Sequence, residues 1–366
     1  MNADRLKQIL EQFPKQKILV VGDFFLDKYF ILDPARTETS LETGLDAYQV
    51  VDIRCSPGAA GTVTSNLRAM EAQVSVLGVI GDDGEGYDLR HGLEARGADI
   101  SGLIVHRGRR TPTYAKPMMQ EADGTLRELN RLDTKNFHPL PKEAEQRIIS
   151  ALRERLPFVD AVIAADQVPE ENCGILTEAI RNELGELARK NPEKVIAADS
   201  RERIGLFSHM IVKPNARELI GALKACPEPE IGELAGRLQQ CLSEEGRYLL
   251  EDWLPGGEWL QKKNGRALFL TIGSQGIIAF QADGWSHQPG MRIRGPIDIV
   301  GAGDATMSGI VTALCSGATI PEAALIGCLS SSVTIRQIGT TGTASRAQIL
   351  EAWLEQQSCT LNADQG

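Results

Sequence analysis

The sequence predicts an α/β fold with a central, mostly parallel sheet flanked by helices and a small β-sheet that forms a lid. Short apolar runs alternate with amphipathic stretches along most of the chain. Buried strands that alternate with helices are typical of a parallel sheet covered on both faces. Residues 24–52 and 104–132 interrupt this alternation, because they are rich in Thr, Tyr, Val and charged residues without a helical period. This pattern favours extended strands of a lid over two long surface loops.

The order of the elements follows from the spacing of apolar residues. Leu6, Ile9, Leu10 and Phe13 recur at helical spacing before Pro14, which predicts a first helix. Short apolar runs predict the strands of the main sheet, namely Ile18–Gly22, Val74–Ile80, Ala161–Ala165, Val195–Ala198, Met210–Val212, Leu268–Ile272 and Ile277–Phe280. Helical stretches such as Glu143–Leu156 and Ile175–Lys190 separate most of these strands.

The polar stretch Cys226–Gly265 is expected to differ from the rest of the chain. It contains Pro255, Gly256 and Gly257, which predict a helix followed by an irregular excursion. Trp253 and Trp259 are candidates for holding this excursion against the domain. We expect residues 1–366 to form a single domain.

Composition excludes several classes of function. The chain of 366 residues carries a formal net charge of -10, so it offers no general attraction to nucleic acid or to an anionic membrane. No apolar run is long enough to span a bilayer, and the first residues lack the layout of a signal peptide. The seven cysteines and five histidines are dispersed, which excludes the usual zinc motifs and favours a reducing, cytoplasmic location.

The strongest functional motif is Asp298-Ile-Val-Gly-Ala-Gly-Asp304, which precedes a helix with small residues on one face. Glycines before a helix allow backbone N–H groups to converge on an anion, and the helix end adds partial positive charge. Asp304 could accept a proton from an attacking hydroxyl beside a phosphoryl group held there. The alternative is that Asp304 only stabilises the start of the helix.

Two further motifs follow predicted strands. In Lys213-Pro-Asn-Ala-Arg-Glu218, the residues Asn215 and Glu218 share the first turn of a helix, where they could bind hydrated Mg²⁺ and phosphate oxygens. A capping box explains the same pair. In Thr271-Ile-Gly-Ser-Gln-Gly276, the threonine and glycines could approach a nucleotide, and a plain hairpin turn explains them as well.

Candidate substrate contacts lie near the N-terminus. Asp27 ends the segment Val20–Asp27, and its carboxylate could accept two hydrogen bonds from a vicinal diol, unless it is a solvated loop acid. Gly58 lies in Ser56-Pro-Gly-Ala-Ala-Gly-Thr62, before a helix that runs to Met70. A glycine there would let a ligand touch the backbone, although a turn into the helix also requires small residues.

In this order, these motifs resemble the ribokinase-like (PfkB) family of carbohydrate kinases, from the first helix to about Leu350. The most specific match is Gly301-Ala-Gly-Asp304, supported by Gly78-Val-Ile-Gly-Asp-Asp-Gly84. The opening Ile18–Asp27 and Arg131-Leu-Asp133 are most similar to the heptose-phosphate kinase branch. The Gly-x-x-x-x-Gly-Lys-Ser/Thr loop and the His-Arg-Asp triplet are absent from the sequence, so phosphate-loop and protein-kinase designs are excluded.

The resemblance implies a role for each matching residue and a requirement for ATP and Mg²⁺, with K⁺ as a further candidate. Asp304 resembles the catalytic base. The other implied sites are the anion hole (Gly301, Ala302, Gly303), the ATP and Mg²⁺ contacts (Asn215, Glu218, Thr271, Gly273, Gly276), the sugar contacts (Asp27, Gly58, Thr62) and the monovalent-cation site (Asp298, the carbonyl of Val300).

Two departures from the family pattern concern the sugar pocket. Ala59 replaces the second glycine of a Gly-Gly pair, and Thr62 replaces an asparagine, whose amide makes a two-ended contact that a hydroxyl cannot make. The sequence therefore leaves three readings open. They are a kinase for a heptose-type sugar phosphate, a kinase for a ketohexose, an acidic sugar or a nucleoside, and a non-catalytic sugar-binding or regulatory homologue.

The lid also predicts a homodimer. Apolar residues in the lid segments need burial, and open sheet edges favour pairing with a second subunit. These residues include Phe30, Ile31, Tyr48, Val50 and Tyr114. Dimers joined through the lid are familiar in the family branch that the sequence resembles.

Overall fold

Two sheets, one large and one small, organise the protein in the computed structural model, which describes residues 1–243 and 249–363. Along the chain the strands are β1 (Lys17–Gly22), β2 (Phe24–Leu32), β3 (Glu38–Thr39), β4 (Asp46–Ala47), β5 (Val50–Ala59), β6 (Gln73–Ile80), β7 (Asp99–Val105), β8 (Thr113–Gln120), β9 (Leu126–Glu128), β10 (Leu132–Thr134), β11 (Ala161–Asp166), β12 (Val195–Ser200), β13 (Ile211–Val212), β14 (Leu268–Thr271), β15 (Ile277–Gln281) and β16 (Gly284–Gln288).

The large sheet has the strand order β16-β15-β14-β13-β12-β11-β1-β6-β7. Neighbouring strands from β14 to β7 are parallel, whereas β15 and β16 form an antiparallel edge. The prediction of a mostly parallel sheet is confirmed. Because the carboxyl ends of the parallel strands meet at one edge, this edge is where a ligand is expected to bind.

Helices cover both faces of the large sheet. They are α1 (Ala3–Gln12), α2 (Ala60–Ala69), α3 (Gly84–Ala95), α4 (Lys142–Arg155), α5 (Glu178–Lys190), α6 (Ala216–Lys224), α7 (Pro229–Ser243), α8 (Leu250–Asn264), α9 (Ala302–Cys315), α10 (Ile320–Thr334) and α11 (Arg346–Ala363). Alternate residues of β1 enter the two cores, since Ile18 and Val20 pack in one and Leu19 and Val21 in the other. No helix within the described ranges is both long and apolar enough to cross a bilayer.

The small sheet projects from the carboxyl edge of the large one and has the order β10-β8-β2-β5, with β9 paired to β8. Strand β2 follows β1 after Asp23, and β5 leads directly into α2. Lys28 of β2 forms ion pairs with Glu85 and Asp88 of α3, at 3.2 and 3.6 Å. These pairs attach the lid to the main domain on the side of α3.

The lid exists as predicted, but its boundaries differ from the expectation. Strand β5 continues to Ala59, beyond the predicted end at Asp52. The second predicted segment begins at Ile104, whereas this residue belongs to β7 of the large sheet and the lid resumes at Thr113. The pairing of Phe24 with Ala59 explains the first difference, because β5 must reach the root of β2.

The irregular excursion predicted within Cys226–Gly265 is wrong for the described residues. Pro255 lies inside helix α8, and Trp253 in the same helix is fully buried. A side chain at Gly257 would meet the ring of Phe280 at 2.1 Å. The glycine therefore permits close packing of α8 on β15 and does not mark a loop. Residues 244–248 of this stretch lie outside the described residues.

Candidate active site

The N-terminus of α9 forms the candidate anion hole at the carboxyl edge of the large sheet. Gly301 caps the helix with a φ of +80°, a left-handed conformation that favours glycine. The Ala302 amide donates to the carbonyl of Ile299 at 3.1 Å. In the part of the chain that the structure describes, the amides of Gly303 and Asp304 have no backbone acceptor before the helix. These two N–H groups can therefore bind an anion at the helix end.

Asp304 lies in the first turn of α9 as a partly buried carboxylate. Burial and the charge of Asp199 raise the pKa of Asp304 to about 7, against the opposing charges of Lys213 and Arg201. A carboxylate with a pKa near neutrality can accept a proton and release it again at physiological pH. The surroundings of Asp304 are therefore suited to general-base chemistry.

A buried ion pair beside this turn was missed by sequence reasoning. The Nζ atom of Lys213 lies 3.0 Å from Oδ2 of Asp199, and both side chains are almost fully buried. Asp199 lies near the carboxyl end of β12, and Lys213 directly follows β13. Charged residues at the ends of buried strands were the available signal, since such ends meet at the ligand edge.

Asn215 and Glu218 form the capping box that the sequence offered as the alternative explanation. The Glu218 amide donates to Oδ1 of Asn215 at 2.9 Å, and the Asn215 amide donates to Oε2 of Glu218 at 2.8 Å. Strand β14 ends beside this box, because the Thr271 amide donates to the carbonyl of Pro214 at 2.9 Å. The structure thus brings Asn215, Glu218 and Thr271 together at one strand end.

The carboxylate of Glu218 is compatible with a nearby cation. Burial and the charge of Asp199 raise its pKa to about 7, although the charge of Lys213 lowers it. A divalent cation would relieve this repulsion. Among the described residues, no group of three or more His, Cys, Asp or Glu side chains is placed to hold a metal ion by itself. This donor set fits Mg²⁺, which is usually held by one or two carboxylates, substrate phosphates and waters.

The two glycines of the turn after β14 have different local roles. A side chain at Gly276 would meet the carbonyl oxygen of Gln288 at 2.1 Å, and its φ is +96°. The approach of β16 therefore requires Gly276, which agrees with the hairpin explanation. Gly273 has a φ of +60° and open space where a side chain would stand. Of these two glycines, Gly273 is the one that presents an open backbone surface of the kind expected to face a nucleotide.

The predicted sugar contacts lie on the lid and at the start of α2. A side chain at Gly58 would meet Oδ2 of Asp27 at 2.5 Å, so these two residues share one face of the lid. A side chain at Gly301 would lie 3.4 Å from Thr62, which places α2 against the start of α9. The charge of Asp27 also acts on Asp304. The lid, α2 and the start of α9 therefore lie close to one another.

The lid adds cations and aromatic rings to this region. Nζ of Lys116 lies 2.8 Å from Oδ1 of Asp27 and 4.7 Å from the ring centre of Tyr29. The guanidinium of Arg131 lies 4.1 Å from the ring centre of Tyr114. Cations held over aromatic rings keep a fixed position and can still donate to an anionic ligand.

The loop before α9 carries the candidate monovalent-cation residues. Oδ1 of Asp298 accepts a hydrogen bond from the Val300 amide at 3.0 Å, and Oδ2 accepts one from the Gly339 amide at 3.4 Å. Asp298 thereby links this loop to the segment after α10. The side chain of Val300 is exposed.

Comparison with known proteins identifies the family of this chain. The sequence profile described as pfkB family carbohydrate kinase matches residues 15–347. The bifunctional protein HldE of Desulfatibacillum aliphaticivorans is 28% identical over 348 residues, which cover 94% of this chain and 64% of the relative. The bifunctional protein HldE of Hyphomonas neptunium is 26% identical over 356 residues, which cover 96% of this chain and 66% of the relative. The chain thus spans slightly less than two thirds of the length of these relatives.

Solved structures share the fold at low sequence identity. Ribokinase of Arabidopsis thaliana, complexed with ribose and ATP, aligns with a TM-score of 0.63 at 13% identity, covering 92% of this chain and 98% of the ribokinase. A carbohydrate kinase from Agrobacterium tumefaciens aligns with a TM-score of 0.63 at 21% identity, covering 93% and 97%. A third neighbour, from E. coli and in complex with ATP and Mg²⁺, has a TM-score of 0.62 at 13% identity. The alignment covers 93% of this chain and 99% of that neighbour. With the profile spanning most of its length, the chain belongs to the pfkB family of carbohydrate kinases.

Proposed function

We propose that this carbohydrate kinase transfers the γ-phosphate of ATP to a hydroxyl group of a sugar that already carries a phosphate, of the heptose-phosphate type. The observation that carries the proposal is the position of Asp304. Its carboxylate lies at the helix end that can bind an anion, and it is within electrostatic reach of Asp27 in the lid. A base between an anion hole and a polyol pocket is what hydroxyl phosphorylation needs.

Each residue then has one task. ATP extends along the carboxyl edge of the large sheet, past Thr271 and Gly273, with its γ-phosphate at Gly301–Gly303. Asp27 and the backbone at Gly58 hold the sugar, and Thr62 lies beside the anion hole. Asp304 accepts the hydroxyl proton during transfer. Lid strands over the sugar exclude water and limit ATP hydrolysis.

Asn215 and Glu218 are the residues that would hold Mg²⁺ with the phosphates of ATP. Bound there, the metal ion would neutralise charge on the phosphate oxygens. Asp298 and the carbonyl of Val300 remain the candidates for a K⁺ site. The amides of Val300 and Gly339 donate hydrogen bonds to the Asp298 carboxylate, which supports a role of Asp298 in holding this loop.

The cations of the lid support a substrate that carries its own phosphate. The chain has a net charge of -10, so an anionic substrate must find positive charge locally. Lys116 and Arg131 supply it on the lid face that bears Asp27. Arg54, 5.4 Å from the Tyr29 ring centre, adds a third cation. Lys116 pairs with Asp27 and Arg131 pairs with Asp133, and a substrate phosphate would add a second acceptor to these cations. The resemblance to heptose-phosphate kinases points to the same substrate class.

A substrate panel assayed by ADP release tests the proposal. Heptose and hexose phosphates should exceed the same sugars without phosphate by about 10- to 100-fold in kcat/KM, as charge-assisted hydrogen bonds predict. Arg131→Gln should reduce this preference. Arg127→Gln is the matched control, because Arg127 in β9 is an exposed lid arginine that pairs with Glu121 at 2.5 Å, much as Arg131 pairs with Asp133 at 2.6 Å. Equal kcat/KM for both sugar classes contradicts the phosphate assignment, and absence of turnover with every sugar favours a binding or regulatory protein.

The same lid supports a homodimer. We propose that two copies pair through the lid, because it leaves apolar side chains exposed at its outer part. These side chains are Leu41, Leu45, Tyr48, Val50, Val51 and Ile53.

A further inference from the structure

Lys213 is a buried cation beside the anion-binding turn, and the scheme above gives it no task. Its side chain is 3% exposed, and its Nζ atom lies 3.0 Å from Oδ2 of Asp199. A side chain at Gly303 would lie 3.5 Å from the same Nζ atom. The ammonium group therefore faces the first turn of α9, where the free amides of the candidate anion hole are located.

This arrangement brings the N-terminus of α9 and the Lys213 ammonium group, both positively charged, close together. The first turn of a helix carries partial positive charge and N–H donors, and an ammonium group carries three donors and a full charge. Asp199 accepts from one of the three N–H donors of the Lys213 ammonium group. An anion between the helix end and Lys213 would accept hydrogen bonds from both and would remove their repulsion.

The ion pair with Asp199, at 3.0 Å, favours the charged form of the Lys213 side chain. A permanently charged group next to phosphoryl oxygens stabilises the charge that spreads over them in the transition state.

We propose that Lys213 is a catalytic residue that contacts the transferred γ-phosphoryl group, with Asp199 as its positioning residue. This inference rests on the proposed kinase function and deepens it. During transfer, the bond between the γ-phosphorus and the bridging oxygen breaks, and ADP leaves with the electron pair. The sugar oxygen forms the new bond to phosphorus, and its proton passes to Asp304. Lys213 neither gains nor loses a proton.

The competing interpretation is that Lys213 and Asp199 only tie the end of β12 to the residues after β13. A purely structural pair would affect all nucleotides alike. A contact to the γ-phosphoryl group would distinguish ATP from ADP. Nucleotide binding therefore separates the two interpretations without knowledge of the sugar.

The experiment measures the Kd of ADP and of the non-hydrolysable imido analogue of ATP by calorimetry, each with Mg²⁺. Lys213→Met should lose about tenfold or more in affinity for the imido analogue, as expected for one charge-assisted contact. Its affinity for ADP should change less than about threefold, because ADP has no γ-phosphate. Lys224→Met is the control, since Lys224 is an exposed lysine at the end of α6.

The double variant Lys213→Met with Asp199→Asn removes both charges and keeps the test valid if the single variant fails to fold, because no unpaired charge stays buried. Equal losses for ADP and the imido analogue, or no loss for either, overturn the assignment of Lys213. If the wild-type protein binds neither nucleotide, the proposed kinase function itself fails.

Discussion

Burial and four charged neighbours together determine the pKa of the Asp304 carboxylate. Burial raises its pKa most, the negative charges of Asp199 and Asp27 add to this effect, and Lys213 and Arg201 oppose it. The result is a pKa of about 7, so the carboxylate changes protonation state in the physiological range. A helix-stabilising residue would not need such surroundings, and the surroundings therefore favour the role of a base.

This pKa predicts the pH dependence of the kinase. The kcat/KM value should rise with pH and reach half of its plateau near pH 7, because only the deprotonated Asp304 accepts the hydroxyl proton. Asp304→Asn should lower kcat by about 10²–10⁴-fold at every pH. The variant should also lose the rise of kcat/KM with pH near neutrality. Steady-state assays from acid to alkaline pH measure both effects. Activity within about threefold of the wild type would refute the assignment of the base.

Thermal unfolding provides the control for correct folding of this variant. The ordinary pKa of an aspartate is 3.8, and the folded-state pKa of Asp304 is about 7. Between these values the folded protein keeps a proton that the unfolded chain has released, so stability falls as pH rises through this window. Asp304→Asn removes this loss. Its Tm should therefore exceed that of the wild type at pH 8 and equal it near pH 4.

Individual residues differed in how well the sequence predicted them. The sequence correctly placed Gly301 and Asp304 at the start of a helix, whereas the functional roles of Asp304, Gly301 and Asp27 stay predictions. The pair of Asp199 and Lys213 was not predicted, because two residues 14 positions apart meet only when β12 and β13 lie side by side. Contacts that depend on strand pairing leave no periodic signal in the sequence.

At the scale of secondary structure, the start of α6 serves two purposes with one pair of side chains. Asn215 and Glu218 satisfy each other's backbone amides, and their oxygens also lie at the strand end expected to hold ATP. A capping box and a magnesium site are therefore compatible. The capping geometry fixes the side chains that would contact Mg²⁺.

Glu218→Gln separates the two purposes. Glutamine also serves at this position of a capping box, so the Tm should change little. The loss of one negative charge should raise the Mg²⁺ concentration for half-maximal activity roughly tenfold. Glu322→Gln is the matched control, because Glu322 closes the capping box of α10 with Thr319. An unchanged Mg²⁺ titration with a lower Tm would leave capping as the sole role of Glu218.

Among the elements, long apolar runs were predicted well and short or unusual ones were not. All predicted strands of the main sheet exist within one or two residues, and so do α1, α4 and most of α5. Strand β7 was not predicted as part of the main sheet, because Asp99, Ser101 and Gly102 dilute its apolar pattern, and its last two residues were assigned to the lid. Strand β16 was missed because most of its side chains are only partly buried. Helix α8 was misjudged because Pro255 and two glycines are usual signals of a loop.

At the scale of the whole molecule, the lid is the part with the least support from the main domain. Strand β2 within it is well covered at both ends, since Leu26 and Ile31 are 0% and 6% exposed. The need for a partner predicted for Ile31 is therefore wrong, since its own chain covers it. The outer part differs, because Leu41 and Leu45 are 103% and 69% exposed. Strand β5 also forms one edge of the lid sheet, with backbone groups open to pairing.

The dimer proposal yields the last prediction. An exposed apolar surface next to an open strand edge favours association, and a two-fold partner would cover both. Light scattering at micromolar concentration should give twice the chain mass of 39.8 kDa. Ile53→Asp, in β5, should shift the mass to that of the monomer, because association would bury the new charge. Phe158→Asp is the control, since Phe158 is equally apolar and 75% exposed but lies outside the lid. A monomer at every concentration, or a dimer that persists in the Ile53 variant, contradicts pairing through the lid.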